Sequence, residues 1–233
     1  FFSAELTGLY FFAKKISDLI SHQLTSAVQQ VTFPALSTLQ DNNKLLKNKY
    51  RQIMQLMMFL IAPITMLLAA LSEPLIQFMF DERWQGSVPY LQLLCVVGMI
   101  YPMHALNMNL LNVVGRSDLV FKVGLVKKAV NLSLLFLSMP YGVLAIVFSQ
   151  VIGSFLALIP NTYFSAKLVG YLIWEQGRDV IKPVSAAVAA AAVAWLASQA
   201  IESHLSIVLL VSGVVGVAAY ILVSIIIRAE GAI

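Results

Sequence analysis

The sequence predicts an all-α protein, a polytopic bundle of about seven transmembrane helices. Of its 233 residues, 60% are hydrophobic and only 11% are charged, whereas a soluble domain carries about 25% charged residues. The apolar residues form long blocks, such as 53–71 and 206–227, and about 20 apolar residues are needed for a helix to cross a bilayer. The blocks lack the polar–apolar alternation of membrane barrel strands, so helices are indicated.

Seven helices follow from these blocks in chain order. Long apolar runs form most of them, whereas the first and fourth carry internal charges and the sixth is rich in alanine and valine. We expect them at 9–36, 53–71, 88–113, 119–139, 143–168, 184–201 and 206–227. Pro34, Pro63 and Pro102 fall within or at the end of helices and are hinge candidates, because proline removes a backbone hydrogen bond. Static kinks that only shape packing are the alternative.

Two amphipathic stretches, 73–84 and 171–182, separate these helices. Both mix large apolar residues with charges, which fits either the membrane interface or a structured loop. We therefore expect a five-helix core over 1–168, an amphipathic cytoplasmic connection over 169–183, and two peripheral transmembrane helices over 184–233.

The basic residues predict how the bundle is oriented. The loops and tail on one side carry Lys44, Lys47, Lys49, Arg51, Arg116, Lys122, Lys167, Arg178, Lys182 and Arg228. The opposite loops carry only Arg83. Because basic loops stay in the cytoplasm, we expect Phe1 on the outer side and the C-terminus in the cytoplasm.

The first helix carries one continuous polar stripe. Its members are Lys14, Asp18, His22, Thr25, Gln29 and Thr32. Spacings of three or four residues bring side chains to one face of a helix. Such a face inside a membrane favours water, so we expect a hydrated cavity. A helix packed dry within a polar bundle is the alternative.

Polar residues also interrupt later helices. Lys127 and Lys128 lie near the middle of the fourth helix, where a charge costs about 3 kcal/mol or more unless it meets a partner or water. Lys128 shares a face with Asn131, whereas Lys127 points about 100° away and is expected to snorkel or pair elsewhere. The third helix adds His104, Asn107 and Asn112. The predicted cavity is lined by Lys14, Asp18, His22, Gln29, Lys128, Asn131, Gln150, Ser154 and Asn161.

No catalytic or cofactor-binding motif is present in the sequence. It contains no G-x-S-x-G, Walker or H-E-x-x-H pattern, and the single Cys95 cannot form an internal disulfide or a metal-ligand pair. Glu73, Asp81 and Glu82 fit charged helix ends better than catalytic acids. We therefore expect a membrane protein that is not an enzyme, uses no cofactor or metal, and does not bind nucleic acid.

Four short segments carry a resemblance to a known family. They are VTFPALS at 31–37 followed by Gln40 and Asp41, SEPLI at 72–76 followed by FDERW at 80–84, LLNVVGRSD at 110–118, and YGV at 141–143. In order and spacing they resemble the polysaccharide transporter branch of the multidrug/oligosaccharidyl-lipid/polysaccharide exporter superfamily. The similarity extends over about 6–167 and is to the O-antigen, colanic acid and teichuronic acid type.

The resemblance implies the C-terminal lobe of a two-lobed flippase in the bacterial inner membrane. It implies alternating-access transport of an undecaprenyl-diphosphate-linked oligosaccharide. Implied partners are that lipid-linked oligosaccharide, membrane lipid, the N-terminal lobe of the same protein, and polysaccharide polymerase machinery. Lysines and amides within the membrane suit such an anionic, hydroxyl-rich substrate.

Three alternatives remain open at the level of sequence. A cation-coupled multidrug antiporter of the same superfamily would usually place acidic residues in its cavity. A membrane-embedded glycan polymerase or ligase would need a large external loop, which the sequence lacks. A scaffolding subunit would keep its polar stripes packed and dry.

Overall fold

Almost all of the residues that the structure describes, 2–201 and 203–227, are helical. The structure is a computed structural model. The described residues form α1 Ala4–Ser37, α2 Asn43–Ala70, α3 Ser72–Met79, α4 Val88–Val113, α5 Ser117–Ser138, α6 Val143–Val169, α7 Ile173–Ala200 and α8 Leu205–Ile227. Short 3₁₀ segments, Glu82–Ser87 and Met139–Tyr141, precede α4 and α6. The predicted all-α helix bundle is confirmed.

Five helical segments are long and apolar enough to cross a membrane, judged by length and composition. They are α2, the continuous stretch Glu82–Val113 that includes α4, and α6, α7 and α8. The α1 and α5 helices, of 34 and 22 residues, are not in this group because polar and charged side chains interrupt their apolar stretches. The chain is a multi-pass membrane protein. The predictions for Phe1 and for the tail with Arg228 lie outside the described residues.

Two helices begin about ten residues earlier than the apolar blocks predict. The second helix starts at Asn43 rather than at 53, and α7 starts at Ile173 rather than at 184. The amphipathic stretch predicted at 171–182 is therefore not a separate connection, since nearly all of it is the start of α7. An apolar block predicts only the part of a helix that can lie in the lipid, whereas each of these two helices begins with additional amphipathic turns outside that part.

The helices pack side by side with α4 at the centre. Neighbouring pairs run in the order α5, α6, α4, α1, α2, α7 and α8, with α4 also against α2. One buried cluster joins Leu36, Leu46, Val113, Val169 and Tyr171. This cluster gathers the loops 38–42, 114–116 and 170–172 at one end of the bundle, which we call the basic end.

A close approach of backbones holds α1 against α4. The α1 residues Ala13, Ser17, Ser21 and Thr25 are buried, and the hydroxyl of Ser17 donates to the carbonyl oxygen of Leu94 at 2.9 Å. A Cβ atom at Gly98 would lie 2.2 Å from the Ser21 hydroxyl oxygen. Only glycine fits there, and the contact turns the neighbouring polar stripe of α1 toward the open side of α4.

Two ion pairs fasten α7 to α2 at the basic end, and one of them has a buried carboxylate. Arg51 donates from Nε and Nη2 to the two carboxylate oxygens of Asp179, each at 2.5 Å, and Tyr171 donates its hydroxyl to Asp179 at 2.7 Å. Lys47 reaches both Glu175, at 2.8 Å, and the carbonyl oxygen of Gly170, at 2.6 Å. Burial, followed by the Asp179 carboxylate, raises the pKa of Tyr171 well above its usual value. These contacts explain why the polar start of α7 is an ordered helix.

Candidate functional site: a polar cleft between α1 and α5

A cleft opens between α1 and α5, two helices that flank α4 and α6 without packing on each other. Its larger cavity has a volume of about 700 Å³. The lining polar residues are Tyr10, Tyr101, His104, Lys127, Lys128, Asn131, Ser149, Gln150 and Ser154. Lys128, Asn131, Gln150 and Ser154 were all predicted cavity residues, and the structure brings them together.

A second cavity, of about 360 Å³, continues the cleft toward the basic end. It shares Tyr101, His104 and Lys127 with the larger cavity. Gln29 of α1, a predicted cavity residue, lies on its wall together with Asn109 and Asn112 of α4. Together the two cavities follow the helices for much of their length.

Two lysines stand side by side at the middle of the cleft. Both Lys127 and Lys128 line the larger cavity, and Lys127 also lines the smaller one. The expectation that Lys127 points elsewhere is wrong, because α5 packs mainly on α6 and leaves a wide face open. Within the described ranges neither lysine forms an ion pair, and no Asp or Glu lines either cavity. The cleft is therefore cationic.

His104 forms a neutral bridge between α4 and α6. Its Nε2 lies 3.1 Å from the carbonyl oxygen of Ser154, and its Nδ1 lies 2.8 Å from the amide nitrogen of Asn161. A carbonyl can only accept and an amide NH₂ can only donate, so the hydrogen bonds assign the proton to Nε2. Asn161 is 1% exposed and lies behind His104, so it lines neither cavity, contrary to the sequence expectation.

The charged part of the α1 stripe borders the cleft without lining either cavity. Lys14 pairs with Asp18 at 2.9 Å, and His22 lies 3.6 Å from the same carboxylate. The His22 ring stacks on Tyr101, with centroids 3.8 Å apart, and Tyr101 lines both cavities. These three predicted residues therefore support the cavity wall through the stack of His22 on Tyr101, and none of them lines either cavity.

Tyrosines form a part of the site that the sequence interpretation missed. The amide of Gln150 donates to the Tyr10 hydroxyl at 2.9 Å, which joins α1 to α6 at the end of the cleft far from the basic end. Helical spacing could have found both tyrosines. Tyr10 lies four residues before Lys14, and Tyr101 lies three residues before His104, each on an already polar face.

The predicted hinge prolines all lie inside helices. Pro34 is in the last turns of α1, Pro63 is within α2, and Pro102 is within α4. Pro63 and Pro102 are buried, whereas Pro34 is exposed. Their role as hinges stays a prediction.

Comparisons with known proteins match this fold and part of this sequence. Residues 1–89 match a family described as "Polysaccharide biosynthesis protein". The chain is 26% identical over 162 residues to the lipopolysaccharide biosynthesis protein WzxC of Escherichia coli, covering 70% of this chain and 32% of that protein. It is 26% identical over 121 residues to the teichuronic acid biosynthesis protein TuaB of Bacillus subtilis, covering 52% and 25%. The chain thus spans about a third or less of these relatives' length.

A solved structure has the same arrangement of helices. The chain superposes on the lipid II flippase MurJ in an inward closed conformation with a TM-score of 0.77 and 16% identity. The match covers 95% of this chain and 47% of that one. At this level of identity, the similarity establishes the fold.

Proposed function

We propose that the chain is related to the polysaccharide exporters and flippases, a resemblance that its similarity to two polysaccharide biosynthesis proteins and its fold support. In this proposal the chain is the C-terminal lobe of a transporter in the bacterial inner membrane, with its C-terminus in the cytoplasm. The transporter moves an undecaprenyl-diphosphate-linked oligosaccharide to the outer leaflet by alternating access. The N-terminal lobe of the same protein closes the open side of the cleft.

The observation that carries the proposal is the pair Lys127 and Lys128 in the cleft wall. Each lies about ten residues, or roughly 15 Å, from either end of α5, which is too far for easy snorkelling to the interface. A charge at this depth costs about 3 kcal/mol, and no carboxylate of the described chain offsets that cost. A bound diphosphate would offset this cost, because it accepts charge-assisted hydrogen bonds from ammonium groups.

The rest of the cleft suits the other parts of such a substrate. Amides and hydroxyls of Gln150, Asn131 and Ser154 can exchange hydrogen bonds with sugar hydroxyls. The gap between α1 and α5 is open at the side, so a polyprenyl tail can stay in lipid while the polar head enters. This division supports transport of a lipid-linked glycan over transport of a small drug cation, which a cationic wall would repel.

The test replaces both lysines with glutamine in the full-length protein, in cells that depend on it for surface polysaccharide. We expect export to fall by about tenfold or more, since one hydrogen bond to a charged group contributes about 1.5–3 kcal/mol. Lys127→Arg with Lys128→Arg should retain much of the activity because the charge remains. The control is Lys49→Gln, which removes an exposed lysine at the basic end. Normal export by the glutamine variant at matched protein level would reject the proposal.

A further inference from the structure

The smaller cavity contains a buried amide without a partner. Asn109 of α4 is 9% exposed and lines this cavity, and its amide nitrogen has no hydrogen-bond partner among the described residues. An unpaired buried donor costs about 1–3 kcal/mol. A ligand that accepts a hydrogen bond there would offset this cost.

The surrounding residues define what that ligand is. Asn112 and Gln29 add two more amides, each able to donate and accept. The ring of Tyr101 forms part of the wall, and Lys127 stands at the boundary with the larger cavity. A wall of amides beside an aromatic ring, with one cation at its edge, presents many neutral hydrogen-bonding groups and little charge.

We propose that this cavity is a sugar subsite, in which Asn109, Asn112 and Gln29 bind the hydroxyl groups of a neutral sugar ring. The proposal rests on the proposed function and deepens it, since the lysine pair next to the cavity would hold the diphosphate to which that sugar is attached. Sugar hydroxyls both donate and accept, as the three amides do, and a ring face can lie against Tyr101. A phosphate group fits this cavity poorly because it needs several donors and charge, and only Lys127 supplies charge.

The test compares two soluble probes, of which only one carries a sugar. The probes are farnesyl diphosphate and the same molecule carrying one N-acetylglucosamine on its terminal phosphate. Dissociation constants are measured by native mass spectrometry on the full-length protein in detergent. The variants are Asn109→Leu and Asn112→Leu, and the matched control is Gln92→Leu, which changes an exposed amide of the same helix that lines neither cavity.

We expect each asparagine variant to weaken binding of the glycosylated probe by about 3- to 10-fold, the effect of losing one hydrogen bond. Binding of bare farnesyl diphosphate should not change, and Lys127→Gln should weaken binding of both probes. The melting temperature of Asn109→Leu should equal or exceed that of the unaltered protein, because leucine removes a costly unpaired donor at nearly constant volume.

Three results would overturn the subsite. Equal weakening for both probes would show that the asparagines act on the diphosphate or on the fold. Failure of both asparagine variants to weaken binding of the glycosylated probe would show that no sugar is bound in this cavity. In both cases the lipid-diphosphate proposal would stand, whereas binding of neither probe to the unaltered protein would reject the proposed function and the subsite together.

Discussion

Removing Arg51 should destabilise the protein through the carboxylate it leaves behind. Asp179 is 2% exposed at its side chain and receives two hydrogen bonds from Arg51 and one from Tyr171. The change Arg51→Met keeps an unbranched side chain of similar length but removes both guanidinium bonds. Tyr171 then remains as a partner of a buried negative charge at the junction of α2 and α7.

The size of the effect follows from burial. Breaking a buried ion pair by deleting one partner costs about 3–5 kcal/mol. Because the Arg51 side chain is 40% exposed, water reaches part of the site, and we expect a loss of about 2–3 kcal/mol. For chains of about 150–250 residues, each kcal/mol lowers the melting temperature by about 2–4 °C. The expected decrease is therefore about 4–12 °C.

The assay is thermal unfolding of the purified protein in detergent, followed by intrinsic fluorescence. Lys49→Met serves as the control, since this exposed lysine on the same helix contacts only the side chain of Gln52 among the described hydrogen bonds. Replacing the whole network, with Arg51→Met, Asp179→Leu and Tyr171→Phe together, should restore most of the stability, because apolar groups replace buried charges at little cost. A triple variant as unstable as Arg51→Met alone would refute the argument from the uncompensated charge.

Three further predictions concern other contacts. Gly98→Leu should destabilise the protein by about 1–3 kcal/mol through overpacking of α1 on α4. Gly124→Ala should not, because no heavy atom lies within 4 Å of the added Cβ. Thermal melting of both variants checks this prediction. Asn161→Leu should cost about 1–3 kcal/mol because His104 loses its partner at Nδ1, and an unchanged melting temperature would contradict that role. Burial keeps the proton on Tyr171 above its ordinary pKa of 10.0, while the unfolded chain releases it, so stability should fall as pH rises above that value. Tyr171→Phe should make this alkaline fall shallower in melting curves between about pH 8 and pH 11, and an unaltered slope would count against it.

The local pattern of apolar and polar residues was enough to predict most of the helices and one side of the cleft. The bounds of α4 were predicted as 88–113 and are Val88–Val113, because Pro89 starts the helix and a Gly-containing turn follows it. The shared face of Lys128 and Asn131 was also predicted, since helical periodicity depends only on neighbouring residues.

Features that depend on distant residues could not be predicted in this way. The start of α7 is held by Arg51, which is 128 residues away from Asp179 in the chain. Asn161 has the periodicity of a cavity residue, but His104 of another helix stands in front of it. Whether one or both of two adjacent lysines face the cleft depends on how much of α5 the neighbouring helices cover, and the local sequence does not show this.

The sparse packing of α5 has a consequence for how this protein can diversify. Its buried residues are Leu119, Val123 and Ser138, close to the two ends, so the stretch between 124 and 137 bears little of the fold's stability. Exposed substitutions usually change stability by less than about 0.5 kcal/mol. On the face of this stretch that lines the cleft, charges and amides can therefore be gained, lost or moved by one turn in descendants of this sequence without repacking the bundle. The chemistry of the cleft is thus free to evolve faster than the bundle that supports it.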